Sequence, residues 1–277
     1  QTIPLVDLSN PVLQFMNKKG IVPFLWEYFN EIKIRHWKTV TDIEFGVSED
    51  DIITHQQATT IFRLYNKFVA KLREIGKIEY QDQINYVLEL FENFPEVKNR
   101  YQFDHIMVDE YQDTDHAQVL LLKHLLDNTF KSFMVVGDDA QAIYAFRLAD
   151  HTNIVRFKED FSEYGDVTSL KITRNFRSTK PILKLGNEIN NNHNPSDIVK
   201  GKDLVGDREG NIPKLIQIPT EELEFEWIAK KITELVNAGN PYGDIAIIAR
   251  TRNELNRLSW FVEEKNHPYA TRLTNPL

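Results

Sequence analysis

Cysteine is absent from the 277 residues, which excludes disulfides and thiolate metal sites. Histidine occurs eight times, but no pair has the spacing of a helix-borne metal site such as His-Glu-x-x-His. Each histidine reads as a packing or surface residue. No apolar run approaches the roughly 18 residues of a membrane span, and a cytoplasmic location is the expectation. The opening residues, Gln1-Thr2-Ile3-Pro4, show neither the basic stretch nor the apolar core of a signal peptide. They also lack an initiator methionine, so a piece of a longer protein is expected. Internal repeats and low-complexity segments are missing. A phosphate-cradling Gly-x-x-x-x-Gly-Lys-Ser/Thr loop is missing too. Gly76-Lys77 runs into Ile78, and Gly201-Lys202 runs into Asp203. Basic excess is lacking: 33 Lys and Arg stand against 41 Asp and Glu, a net charge of −8. That argues against a generic nucleic-acid coat, but it permits a local basic groove.

The hydrophobic fraction of 42% is enough for two modest domains with cores of their own. Residues 1–100 read as helical. One apolar stripe runs through Ile61, Leu64, Tyr65, Phe68, Leu72 and Ile75; another runs through Ile84, Val87, Leu88 and Phe91 and stops at Pro95. Trp26, Tyr28, Phe29 and Trp37 read as core aromatics. Thr41–Asp51 is acidic, carries Gly46 and reads as a loop. From about residue 101 the pattern changes to strand (103–108), helix (117–126) and strand (133–136), a unit that favours parallel pairing. Further strands are expected at 167–172, 214–218 and 245–249. Helices are expected at 179–189, along the stripe from Phe225 to Val236, and at 253–265.

The first strand ends in Asp109-Glu110 and the second in Gly137-Asp138-Asp139-Ala140-Gln141. Open parallel sheets bind ligands at the carboxyl ends of their strands. Paired carboxylates at that position suit magnesium-dependent nucleotide hydrolysis, where one carboxylate holds the metal and its neighbour orients or deprotonates water. Further on, Lys171, Arg174, Arg177, Lys180 and Lys184 cluster with no acidic residue between them. They read either as a solvated face or as a phosphate-facing group.

Three segments together carry a family likeness. Val-Asp-Glu-Tyr-Gln-Asp-Thr at 108–114, Gly-Asp-Asp-Ala-Gln-Ala-Ile-Tyr-Ala-Phe-Arg at 137–147 and Leu-Lys-Ile-Thr-Arg-Asn-Phe-Arg-Ser-Thr at 170–179 resemble, in order and spacing, motifs II, III and IV of the UvrD/Rep/PcrA-like superfamily 1 DNA helicases. The weaker similarity spans roughly residues 76–272. The resemblance implies an α/β fold: partial RecA-like parallel-sheet domains of the P-loop NTPase type with an N-terminal helical insert. The implied division is a helical insert at 1–75, the later part of a first RecA-like domain at 76–165 and the opening of a second at 166–277.

The same resemblance implies ATP and Mg²⁺ as cofactors. Asp109 would hold the metal and Glu110 would be the catalytic base. Gln141 would sense the γ-phosphate; an amide suits that task because it donates and accepts without adding charge. Arg177 would reach the γ-phosphate, and such arginines are worth ~10³-fold or more in rate. Phe176 stands where relatives more often have an adenine-stacking Tyr; stacking needs only the ring face. Tyr144, Phe146 and Arg147 match a floor for single-stranded DNA, where aromatics stack on bases without reading sequence. Plainer alternatives stand beside each: a strand-end acidic pair, a capping glutamine, an ion-pairing arginine, and core packing for Phe176 and Tyr144. Ala142, Phe146 and Leu148 depart from the commoner Ser, Trp and Gly.

The family's glutamine motif and its motifs V and VI are not found here, so an internal motor segment is expected. The implied activity is ATP-dependent helicase or translocase action, 3′ to 5′ on single-stranded or partial-duplex DNA. The chain alone is expected to be inactive. The alternative is a helicase-like module that binds DNA or a partner without motor activity. No carboxylate-lysine cluster of nuclease type is evident. The apolar edges of an incomplete sheet are expected to be exposed.

Overall fold

A computed structural model of the chain describes residues 21–46, 54–126, 130–144, 149–150, 152–193, 203–265 and 267–268. It groups residues 1–210 in one unit and 211–277 in another.

The first unit begins with helices α1 (Ile21–Ile34), α2 (Val40–Gly46) and α3 (His55–Glu74). They close on a core of Tyr28, Phe29, Ile32, Ile43, Ala58 and Ile61, with Leu64, Tyr65 and Phe68 packed against it. The stripe from Ile61 to Phe68 is therefore a core face, while Ile75 at its end is exposed. Helix α2 corrects the loop expected from Thr41. The Asp42 carboxylate accepts from the backbone N–H groups of Lys38 and Thr39 (2.8 and 2.7 Å), and the Thr39 hydroxyl accepts from Asp42 N–H. These bonds satisfy donors that a helix start leaves orphaned. Fully buried Ile43 anchors the turn.

Helix α4 (Asp82–Asn93) buries Leu88 and Phe91, and the short α5 (Pro95–Lys98) follows it. Lys33 of α1 is sealed from solvent and pairs with Glu79 and with Asp82 (2.8 Å to the latter). That buried pairing ties α1 to the start of α4. Breaking such a pair leaves an uncompensated charge inside the protein.

Strands β1 (His105–Val108) and β2 (Ser132–Val135) form a parallel pair in the register His105↔Ser132 to Val108↔Val135. Helix α6 (His116–Leu125) connects them. It starts at a reciprocal cap in which Asp115 accepts from Gln118 N–H and Gln118 accepts from Asp115 N–H. The inward residues Ile106, Val108, Phe133 and Val135 pack on a core of Tyr111, Val119, Leu126 and Phe161. Helix α7 (Thr152–Asp160) adds Phe157 to that core and backs the turns that follow both strands. Strand alternation turns Met107 and Met134 the other way; Met107 is 71% exposed.

Residues 167–172 depart from expectation. No strand is found at 167–172 among the described residues; Leu170 and Ile172 are exposed, and the pairing present is a single parallel bridge, Arg174↔Val205. Helix α8 (Lys180–His193) forms where a helix was expected.

The second unit holds α9 (Glu221–Asn237) and α10 (Arg252–Glu264), which meet through Ile232, Leu258 and Val262. Gly239, at φ +94°, follows the end of α9 and takes a conformation that favours glycine. The strands expected at 214–218 and 245–249 are not formed. Leu215 is 100% exposed and Ile248 is 91% exposed. The physical reason is the same at all three segments. Apolar, β-prone residues make a strand only where another backbone completes the ladder.

Candidate functional site

The two strand ends are stitched together by backbone. Val136 N–H donates to the Val108 carbonyl (2.8 Å) and Tyr111 N–H donates to the Val136 carbonyl (2.9 Å). Tyr111 is fully buried, with Phe157 edge-on at 5.5 Å. This anchor sets the exposed carboxylates of Asp109 and Glu110 on the rim beside it. Glu110 has φ +52° and ψ 42°, a left-handed conformation that residues with a Cβ adopt at an energetic cost and that clusters at functional sites. Its N–H donates to Asp109 Oδ1 (2.9 Å).

Gln112, next to this pair, is 1% exposed. Its Nε2 donates to Glu110 Oε2 (2.8 Å), and its Oε1 accepts from Asp138 N–H (2.9 Å). Asp138 in turn accepts from Gln141 Nε2 at Oδ2 (2.6 Å), and its carbonyl accepts from Gln141 N–H (2.9 Å). Asp109, Glu110 and Gln141 are thus brought into one hydrogen-bonded network, with Gln112 and Asp138 between them. Gly137 makes room for it: a Cβ there would lie 2.6 Å from Gln112 Oε1. Sequence reasoning missed Gln112. The available signal was a glutamine inside the 108–114 motif, two residues after the paired carboxylates, with a glycine just past the end of the next strand.

The surroundings are electrostatically tuned. Burial, then the charge of Glu110, raises the Asp113 carboxyl above its ordinary value. Burial raises the phenol of Tyr111 as well. Thr114 donates to the Tyr111 carbonyl (2.7 Å), and Asn153 Nδ2 donates to the Thr114 carbonyl (3.0 Å), so α7 braces the same turn. Tyr144 is half-buried. Phe146 and Arg147 lie outside the described residues.

Phe176 and Arg177 form a second cluster, with no hydrogen bond to the first among the described residues. Asn175 Oδ1 accepts from the N–H groups of Arg177 (2.9 Å) and Ser178 (2.7 Å), a tight Asx-type turn. Arg208 donates from Nη1 to the Arg177 carbonyl (2.6 Å). The turn leaves Arg177 exposed with no ion pair among the described residues. Phe176 is 74% exposed, with the Arg174 guanidinium 5.3 Å from its ring centre. The basic run is largely neutralised: Arg174 pairs with Asp207 (2.8 Å), Lys180 with Glu209, and Lys184 with Glu188 (4.0 Å). The sequence signal for this was Asp207-Arg208-Glu209, about thirty residues downstream.

Among the described residues, no group of three or more His, Asp or Glu side chains could enclose a metal. The exposed Asp109 carboxylate nonetheless fits Mg²⁺, which is usually held by one or two carboxylates together with waters and substrate phosphates.

Comparison with known proteins agrees with the motifs. The model of the UvrD/REP helicase N-terminal domain matches residues 29–162, and that of the UvrD-like helicase C-terminal domain matches residues 170–273. The chain belongs to the UvrD/REP helicase family. Its N-terminal match contains the Asp109–Gln141 network and its C-terminal match contains Phe176 and Arg177. The ATP-dependent DNA helicase PcrA of Staphylococcus epidermidis is 36% identical over 217 residues, covering 78% of this chain and 28% of the relative. The PcrA of Staphylococcus aureus is 34% identical over 220 residues, covering 78% and 29%. The UvrD/REP segment seen here therefore spans under a third of the length of these relatives.

Proposed function

We propose that this chain is the central segment of an ATP-dependent DNA helicase or translocase, moving 3′ to 5′ on single-stranded or partial-duplex DNA. The supporting observation is the network that joins the strand-end carboxylates to Gln141. In this reading the segment contributes an insert at 1–75, the later part of one RecA-like domain at 76–165 and the opening of another at 166–277. A cytoplasmic setting follows from the proposed substrate; no helix among the described residues is long and apolar enough to cross a membrane.

Each side chain has a task. Bound Mg²⁺ would neutralise charge on the phosphates of ATP. Asp109 would hold that ion. Glu110, next to it, takes the proton of the attacking water. Gln141 reads the γ-phosphate. Arg177, exposed in its turn, offers a guanidinium to the developing phosphoryl charge. Phe176 offers a ring face to adenine. Tyr144, Phe146 and Arg147 grip single-stranded DNA.

The test is Mg²⁺-dependent ATP hydrolysis with and without single-stranded DNA. In the full-length protein, DNA-stimulated turnover is expected, and Glu110→Gln is expected to abolish it while nucleotide binding persists. Normal turnover in that variant would remove Glu110 from its role. The chain alone is expected to stay at the level of its Glu110→Gln control, because it carries no phosphate loop. DNA binding by the full-length protein without any turnover would favour the non-motor binding module.

A further inference from the structure

Gln112 is built to do two things at once. Its buried amide donates to Glu110 and accepts from Asp138. A neutral amide is the side-chain group of this length that offers both a donor and an acceptor; a carboxylate only accepts, and a thioether accepts weakly. The fit is close on every side. Gly137 leaves no space for a Cβ, which would meet Gln112 Oε1 at 2.6 Å, Ile154 Cδ1 at 2.9 Å and Gln112 N at 3.2 Å.

The groups at its two ends are constrained as well. Glu110 is held left-handed, with its N–H on Asp109 and its carboxylate on Gln112. Asp138 binds Gln141 through both its carboxylate and its carbonyl. A continuous path therefore runs from the Glu110 carboxylate, through the Gln112 amide and Asp138, to Gln141. Gln112, the link in the middle, is sealed from water, so a donor or acceptor left unmade on its amide is costly.

We infer that Gln112 is a positioning residue that couples Glu110 to Gln141, with Gly137 as the position that admits it. This deepens the proposed function and rests on the roles assigned there to Glu110 and Gln141. When Gln141 moves toward a phosphate, Asp138 moves with it. The Gln112 amide carries that displacement to Glu110, so the base is aligned only when the γ-phosphate is engaged.

Three substitutions test the coupling. Gln112→Glu keeps an acceptor for Asp138 N–H but sets an oxygen against Glu110. Gln112→Met keeps the shape and removes the strong donor and acceptor. Gly137→Ala pushes the amide aside without changing it. In the full-length protein all three are expected to lower kcat by about tenfold or more, with KM for ATP held within about twofold; that pattern marks an interaction made in the transition state. Gln112→Met and Gly137→Ala are also expected to erase stimulation by single-stranded DNA.

Amide exchange in the full-length protein supplies a second readout. In Gln112→Met the Asp138 amide is expected to lose protection while the Tyr111 amide, bonded to Val136, keeps it. A common loss at both amides, with kcat and KM changing together, would mean a merely structural role and would overturn the inference. So would wild-type kcat in Gln112→Met or an unchanged Asp138 amide. Absence of ATP turnover in the unsubstituted full-length protein would instead overturn the proposed function, and the exchange arm would still report on the bridge.

Discussion

The Asp109–Gln141 network and the Arg174–Lys180 turn are both polar and both carry residues that the proposed function would place at ATP, yet they are held in opposite ways. The first stands on a buried aromatic floor and is joined by one sealed amide. The second stands in solvent and is held from one side by residues 205–210, through ion pairs and backbone contacts. A base that must sit within a few tenths of an ångström of its water gains from rigid support. An arginine that must reach a ligand gains from a turn that fixes the backbone and leaves the side chain loose.

The largest expected effect falls on the floor of the first cluster. Tyr111→Ala removes a fully buried ring that packs on Phe157 and the strand residues, and a loss of roughly 3–5 kcal/mol is expected. Tyr111→Phe sharpens the point. The Tyr111 hydroxyl is buried with no hydrogen-bond partner among the described residues. Removing an unsatisfied polar group is neutral or stabilising, by up to about 1 kcal/mol. Thermal denaturation of the two variants checks both signs, and a Tyr111→Phe chain that melts well below the parent would show that the hydroxyl has a partner.

A smaller effect is expected in the second cluster. A Cβ at Gly206 would lie 2.8 Å from the Asn175 carbonyl oxygen and 2.9 Å from Leu183 Cδ1. Overpacking of this kind costs about 1–3 kcal/mol. Gly206→Ala is expected to displace Asn175 and loosen its turn, so the Arg177 and Ser178 amides should lose exchange protection while Asp138 keeps its own. Equal loss at Asp138 would join the two clusters that the comparison separates.

How much of this was legible before the structure depends on what each feature needs. The β1–α6–β2 unit needs only local apolar runs and a cap, and it stands where the sequence places it. Helix α2 depends on a reciprocal Thr39–Asp42 cap hidden in an acidic stretch. The segments 167–172, 214–218 and 245–249 have the apolar content of strands, but pairing belongs to two segments and composition to one. The site divides similarly. Asp109, Glu110 and Gln141 stand out as motif residues at strand ends. Gln112 does not, because its burial depends on Gly137 and Tyr111. The basic run from Lys171 to Lys184 looks unpaired until Asp207 and Glu209 fold back against it.

The smallest effect separates the clusters by salt. The Arg174–Asp207 pair is well exposed, with side chains 65% and 82% accessible, and such pairs contribute little and are screened by ions. Raising ionic strength from about 0.1 M to about 1 M shortens the Debye length from about 10 Å to about 3 Å. The brace should relax, and the Asn175 and Lys180 amides, which donate to the Val205 and Arg208 carbonyls, should exchange modestly faster. The Asp138 amide donates to a sealed, neutral oxygen and should not respond. Arg174→Ala should remove much of the salt response at Asn175 and leave Asp138 unchanged. A salt response of equal size at Asp138 would mean that its amide bridge opens with the exposed turn, so that the base is held no more firmly than Arg177.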